Sequence, residues 1–267
     1  MFNRRQVTGL IPQSVRYGLR RMLFSGSHAT CPLCENGIKS WASHGGAAEI
    51  LERREVVGGM LRKDDRCPIC HSADRTRLLM LYLDKIAEMG RKPYKVLHVA
   101  PDFGLYLWMQ RQGQVDYVAS DLDKSRYRHI NNMVEANLCD LPFKDGEFDF
   151  LICLHVLEHV PDDLKAMQEM KRVLKPGGAA LLLVPEAIDG GVPDENPAYT
   201  TPEDRHLHFG QWDHVRLYTR ELFTERLEQA GLDVELFNAF ESLPEEAKAL
   251  RLNPLERLRV ARNPVTS

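Results

Sequence analysis

Two pairs of cysteines stand out by type and spacing: Cys31-Pro-Leu-Cys34 and Cys67-Pro-Ile-Cys70. Each CxxC lets the backbone fold round one ion, and the proline inside each pair stiffens the turn that brings the sulfurs together. Two such knuckles supply four thiolates, a tetrahedral set for zinc. Four sulfurs leave no open position for water, so zinc at Cys31, Cys34, Cys67 and Cys70 is expected to be structural. His71 directly follows Cys70 as a substitute ligand, though four sulfurs already fill the shell. A redox reading needs one pair rather than two. Gly45-Gly46 and Gly58-Gly59 predict short strands or loops between the knuckles.

A second group of residues could hold a cofactor. The stretch VLHVAPDFGLYLW lacks GxGxxG and keeps only Gly104 for a close backbone approach. Asp121, in YVASDLDKS, falls at the end of a strand pattern, placed to take two hydroxyls of a ribose. A carboxylate there without a phosphate cradle before it points to a nucleoside-type cofactor rather than a pyrophosphate one. The competing reading of Asp121 is a cap on the next helix.

These residues need a scaffold. Apolar runs predict strands at Lys95 to Val99, Val115 to Ala119, Met133 to Asn137, Phe148 to Cys153, Ala179 to Val184, Leu232 to Phe237 and Leu258 to Arg262. Helical patterns separate them, so the expected fold is α/β: a doubly wound, seven-stranded, mostly parallel sheet covered on both faces. Ligands of such sheets bind beyond the carboxyl ends of the strands. A helix is expected over 73 to 90, with Leu78, Leu79, Tyr82, Leu83 and Ile86 on its apolar side. The chain divides into a basic arm (1–30), a zinc module (31–72), a connecting helix (73–91) and a main domain (92–267).

Charge is uneven. Residues 1–30 carry five arginines (Arg4, Arg5, Arg16, Arg20 and Arg21) and no acid, whereas residues 92–267 hold 20 Lys/Arg against 29 Asp/Glu. The acidic main domain argues against a long nucleic acid as substrate and for a small or neutral one. In the arm, Val15, Leu19, Met22 and Leu23 recur at helical spacing with Arg16 and Arg20 turned away from them. That pattern describes a short amphipathic helix that either packs on the body or makes peripheral contact with an anionic membrane. No apolar run is long enough to cross a bilayer and no secretory signal is visible, so the expected location is cytoplasmic, peripheral to the inner face of the membrane if the arm attaches. Six cysteines there are expected to be reduced or metal-bound.

The stretch NLCDLPFKDGEFDFLICLHVLEHVPDDLKAMQEMKRVLKPGGAALLLVP resembles the central part of class I S-adenosylmethionine-dependent methyltransferases of the type 11 small-molecule group, with LPF, FD, LEHV and RVLKPGG in the family's order. The likeness extends over about residues 95 to 237. FGQWDHVRLYTRE further resembles a bacterial subgroup with an N-terminal double CxxC. The resemblance implies S-adenosylmethionine as cofactor. It would place Ala100 through Gly104, including Asp102, around the methionine part, Asp121 with Leu122 at the ribose, and Asn137 and Leu138 along the adenine. His155 would lie near the methionine end or the acceptor. The sequence departs from the family at His98, where an acid is usual, at Ala100 and Asp102, where glycines are usual, and at Asn137, where an Asp is usual.

Methyl transfer from a sulfonium is an in-line displacement, so the enzyme positions the acceptor and, for a hydroxyl, removes its proton. The acceptor loop is expected at about Glu186 to Tyr218. In it Arg205, Gln211, Trp212, Arg216 and Tyr218 are candidates for binding a polyhydroxylated or acidic acceptor. His214, within the part that matches the subgroup, is the expected base, and His155 is the next candidate. A metal held by His206, His208 and His214 is conceivable, but the reaction does not need one. The expected function is O-methylation of a small polar or glycan acceptor. The alternatives are an RNA-modifying methyltransferase and a non-catalytic interaction protein.

Overall fold

The computed structural model describes residues 12–192 and 195–265. Arg4, Arg5 and Ile11 lie outside the described residues. The sheet contains β1 (Tyr94–Val99), β2 (Val115–Asp121), β3 (Val134–Glu135), β4 (Phe148–Leu154), β5 (Leu174–Leu183), β6 (Asp233–Phe237) and β7 (Leu258–Arg262) in the order β6-β7-β5-β4-β1-β2-β3. Strands β1 to β5 pair in parallel, and β7 runs antiparallel to both its neighbours. The seven-stranded, mostly parallel sheet is the one the apolar runs implied. Successive side chains alternate between its faces: Val96, Phe150, Ile152 and Leu181 enter one core, and Leu97, Leu151, Cys153 and Leu182 the other. The helix Asp163–Val173 covers the second face with Ala166, Met167, Met170 and Val173, one stripe at helical spacing.

Several boundaries differ from the sequence expectation, each for a local reason. Strand β5 starts at Leu174, because the Lys-Pro-Gly-Gly stretch is drawn into the sheet through a register shift opposite Phe148–Phe150. Gly178 permits this: a Cβ there would stand 3.0 to 3.1 Å from three backbone carbonyl oxygens. Strand β3 keeps only Val134–Glu135. The helix Asp74–Lys85 stops short of residue 90, where Glu88 (φ 51°) and Gly90 (φ 86°) turn the chain into β1, and Ile86 is left exposed. The segment from Glu186 to Tyr218 is not an open loop. It contains the helix Pro202–Phe209, capped by Thr201, started by Pro202 and closed by left-handed Gly210, all helix-boundary signals present in the sequence.

The N-terminal module is built from the helix Gln13–Phe24 and two small antiparallel pairs, Ser25–Thr30 with Gly37–Ile38 and Ala42–His44 with Arg62–Arg66. It lies over the carboxyl ends of β4 and β5. Val57 exchanges backbone hydrogen bonds with Glu186, and the buried Arg77 guanidinium pairs with Asp65 at 2.9 Å while donating to the Leu250 carbonyl. The helix Gln13–Phe24 docks with the opposite face from that expected. Tyr17 packs edge-on to Phe103 at 5.3 Å and Arg20 meets His71, whereas Val15, Leu19, Met22, Leu23 and Phe24 are exposed.

Candidate active site

Strand β4 delivers His155 to the carboxyl edge of the sheet. His155 takes φ 53°, a conformation unusual for a side chain of this size, with its N–H donating to the Leu183 carbonyl at 2.8 Å. The tight turn Leu157–His159 follows and presents Glu158 and His159 on the same side. The segment after helix Pro202–Phe209 is pinned to this turn by the Val215 N–H donating to the Glu158 carbonyl at 2.9 Å, which brings in His214.

The result is a cavity of about 370 Å³. The main domain lines it with His155, Glu158, His159, Pro185, Gly210, Gln211 and His214, the connecting helix with Arg75, and the N-terminal module with His44, Gly58 and Gly59 among others. His155 Nδ1 lies 3.5 Å from Glu158 Oε1. The His159 and His214 rings meet edge to face, centroids 4.7 Å apart, and His159 Nδ1 donates to the Asp213 carbonyl at 3.1 Å. Four buried atoms of the lining have no hydrogen-bond partner: His44 Nε2, His155 Nε2, Glu158 Oε2 and His214 Nδ1.

Electrostatics favour an anion among neutral imidazoles. Burial would raise Glu158, but the neighbouring histidines outweigh it and pull the carboxyl down to about 2. Burial, with Arg75 alongside, pushes His155 down to about 4. His44 falls to about 4 for the same two reasons, and His214 is also lowered by burial. At neutral pH each of these three imidazoles has a nitrogen lone pair.

Of the residues expected to bind or transform an acceptor, the structure brings His155, His214 and Gln211 to this cavity. Arg216 lies with Arg205 in a separate cleft, and Tyr218 is buried. The Arg216 guanidinium is buried and donates to the carbonyls of Leu157, Val160 and Pro161 as well as to Glu195, and the Tyr218 hydroxyl donates to Asp163. Their donors are consumed inside the protein. Arg205 lines that cleft with Glu195 and Arg226, and Trp212 is half exposed. His208 stacks on Tyr199 at 3.7 Å rather than joining His214.

On the cofactor side, Asp121 ends β2, 7% exposed, with Oδ1 accepting the Asp123 N–H at 2.8 Å. The cap on the following turn is Asp123, not Asp121. Ser120 Oγ beside it is buried without a partner. Ala100 adopts φ 48° in the loop after β1. Asp102 caps the helix Phe103–Met109 through the N–H groups of Gly104 and Leu105. Gly104 has a further reason to lack a side chain: a Cβ would stand 2.9 Å from Ser72 Cβ and 3.1 Å from Cys70 Sγ. The close approach it permits is that of the cysteine module. Leu122 and Asn137 are exposed, and Leu138 is buried in the core. His98 is buried, its Nδ1 2.9 Å from the Tyr117 hydroxyl.

The four cysteines converge as expected. Cys31 and Cys70 Sγ are 3.7 Å apart, Cys34 and Cys67 Sγ 3.9 Å, and all four sulfurs lie within 4.8 Å of one another. Zinc–sulfur bonds of about 2.3 Å in a tetrahedron require sulfur separations of about 3.8 Å, so the donor set fits zinc.

Sequence reasoning missed Arg75, His44, Glu158 and His159 as cavity residues. For Glu158 and His159 a signal existed, an acid–base pair directly after a strand end. Nothing in the sequence could bring His44 and Arg75 to β4.

The family model described as a methyltransferase domain matches residues 104–182. That stretch includes β2, β4 and the turn bearing Glu158 and His159. The sheet and its helices have the class I methyltransferase fold. Among curated proteins, the chain is similar to an uncharacterised protein of Methanocaldococcus jannaschii, 34% identical over 36% of this chain and 42% of the other. It also resembles the demethylmenaquinone methyltransferase of Staphylococcus haemolyticus, 42% identical over 24% of this chain and 27% of the other. The chain thus spans less than half the length of these curated relatives. Among solved structures, the [4+2]-cyclase SpnF superposes with a TM-score of 0.50 at 17% identity, over 72% of this chain and 81% of the other. That likeness concerns the fold alone, since one fold hosts unrelated reactions.

Proposed function

We propose that the protein transfers a methyl group from S-adenosylmethionine to an oxygen of a small polar or glycan acceptor held in the cavity between the N-terminal module and the carboxyl edge of the sheet. The observation that carries this reading is that two of the partnerless imidazole nitrogens in the cavity, His155 Nε2 and His214 Nδ1, stand at the carboxyl edge of the sheet, where ligands of this fold bind.

The cofactor would lie across the ends of β1, β2 and β3. Ala100, Asp102 and Gly104 would border its methionine part, Asp121 and Leu122 its ribose, Asn137 and Leu138 its adenine. Arg75, whose charge acts on both Asp102 and His155, is placed to neutralise the methionine carboxylate. Held there, S-adenosylmethionine would supply an activated methyl group for in-line displacement by the acceptor oxygen, its sulfur leaving with the C–S electron pair as a neutral thioether. The hydroxyl proton passes to an imidazole. Glu158 beside His155 orients that ring and stabilises it once protonated.

Zinc on the four cysteines would hold the module, and with it His44 and Gly58, against the domain. The exposed apolar face of the helix Gln13–Phe24 supports peripheral membrane contact; co-sedimentation with anionic vesicles that is lost in a Met22→Ser/Leu23→Ser variant is expected, and no co-sedimentation of the unaltered protein argues against it. Calorimetry with S-adenosylmethionine tests the main reading: one site per chain is expected, and absence of binding leaves the fold serving an interaction role instead.

A further inference from the structure

Glu158, His159 and His214 each offer one donor atom, and the three atoms lie within 4.8 Å of one another. Two of the side chains are buried and carry a partnerless atom, Glu158 Oε2 and His214 Nδ1. The second nitrogen of His159 is held from behind by backbone. His159 Nδ1 donates to the Asp213 carbonyl at 3.1 Å. Such a carbonyl bond fixes tautomer and ring orientation in a metal-ligating histidine. The Val215–Glu158 backbone bond locks the two halves of the cluster together.

We propose that Glu158, His159 and His214 form a site for a divalent first-row cation such as manganese, cobalt or zinc, distinct from the four-cysteine site. One carboxylate and two imidazoles match the borderline ligand preference of these ions, and three protein ligands leave coordination positions open toward the cavity. The four-cysteine site is closed and soft; this one is open and mixed. On the reading of the cavity as an acceptor site, on which this deepening rests, the open positions take the acceptor hydroxyl and an oxygen beside it. The acceptor class is then a vicinal diol, catechol or hydroxy-carbonyl compound. A hydroxyl coordinated to a divalent cation gives up its proton more readily. The proton passes to His155 Nε2, which lies outside the ligand set, so His214 serves as ligand rather than base.

The test is a titration of the full-length, zinc-loaded protein with Mn²⁺, followed by electron paramagnetic resonance. One Mn²⁺ per chain is expected in addition to zinc, with affinity at least tenfold weaker in His159→Ala and in His214→Ala. His159 is part-exposed, so its truncation opens no core cavity, and retained zinc reports that the fold survives. If His159→Ala loses zinc, Glu158→Gln is read in its place. No Mn²⁺ or Co²⁺ beyond the zinc, or equal binding in the ligand variants, overturns the site. S-adenosylmethionine calorimetry on the same samples separates the two ideas. Cofactor binding without cation binding refutes the cation alone, and cation binding without cofactor binding refutes the methyltransferase reading alone.

Discussion

Gly58 of the N-terminal module touches the ring of His155 at the end of β4: a Cβ on Gly58 would stand 3.2 Å from His155 Cε1 and 3.4 Å from Nε2. Gly58 also adopts φ 77°, a conformation that L side chains rarely take. The module therefore forms one wall of the cavity, and its closeness depends on a missing side chain. Gly58→Val should displace the His155 ring and lower methyl transfer by about tenfold or more, the scale for a misplaced proton acceptor. S-adenosylmethionine affinity should stay unchanged, because Asp121 and the loop after β1 lie elsewhere. Steady-state kinetics beside calorimetry would show the split.

The same wall depends on the four cysteines. Cys67→Ser leaves a half-made site and returns the folding free energy that the metal supplies. Elemental analysis should find less than one zinc per chain at those cysteines, and thermal unfolding should begin earlier. Activity should fall too, although no cysteine lines the cavity, since Val57 and Gly58 hang from the module. Full zinc retention with an unchanged melting curve would contradict this.

Asp121→Ala should leave the fold intact and weaken S-adenosylmethionine binding by roughly 1.5 to 3 kcal/mol, the scale for losing hydrogen bonds to a charged group. Calorimetry on the variant measures this directly. Unchanged affinity would remove Asp121 from the ribose site.

The sheet and the cysteine site were legible in the sequence because both are written locally: apolar runs of strand length, and thiols two residues apart. The cavity was not. Its walls join Gly58, Arg75, His155 and His214, which only the docking of the module on the sheet brings together. Arg216 and Tyr218 show the converse limit. They sit in a polar stretch that reads as an open acceptor loop, yet they turn inward to Asp163 and Glu195. Composition does not say which polar side chains a fold will satisfy internally. The helix Gln13–Phe24 was legible as amphipathic, but its docked face was not, because the partners of Tyr17 and Arg20 come from Phe103 and His71.

His98 gives a pH signature independent of the cavity. Burial pushes it down to about 3, against about 6.5 in the unfolded chain. Above pH 6.5 both states are neutral there. Between about 6.5 and 3 the unfolded chain binds a proton that the native state refuses, so stability falls with pH by about 1.4 kcal/mol per unit. His98→Asn keeps a partner for Tyr117 and removes this titration. From pH 7 to pH 5 the wild type should lose about 2 kcal/mol more than the variant in urea unfolding. Equal losses would mean that His98 is solvated in the native state.

The central claim is methyl transfer to an oxygen in the cavity. Its most direct test is incubation of the protein with methyl-labelled S-adenosylmethionine and extract separated into small-molecule, glycan and RNA fractions, in parallel with His214→Asn. The account predicts base-stable, oxygen-bound label in the small-molecule or glycan fraction, reduced about a hundredfold in the variant. Label in RNA alone, or equal labelling by both proteins, would contradict it.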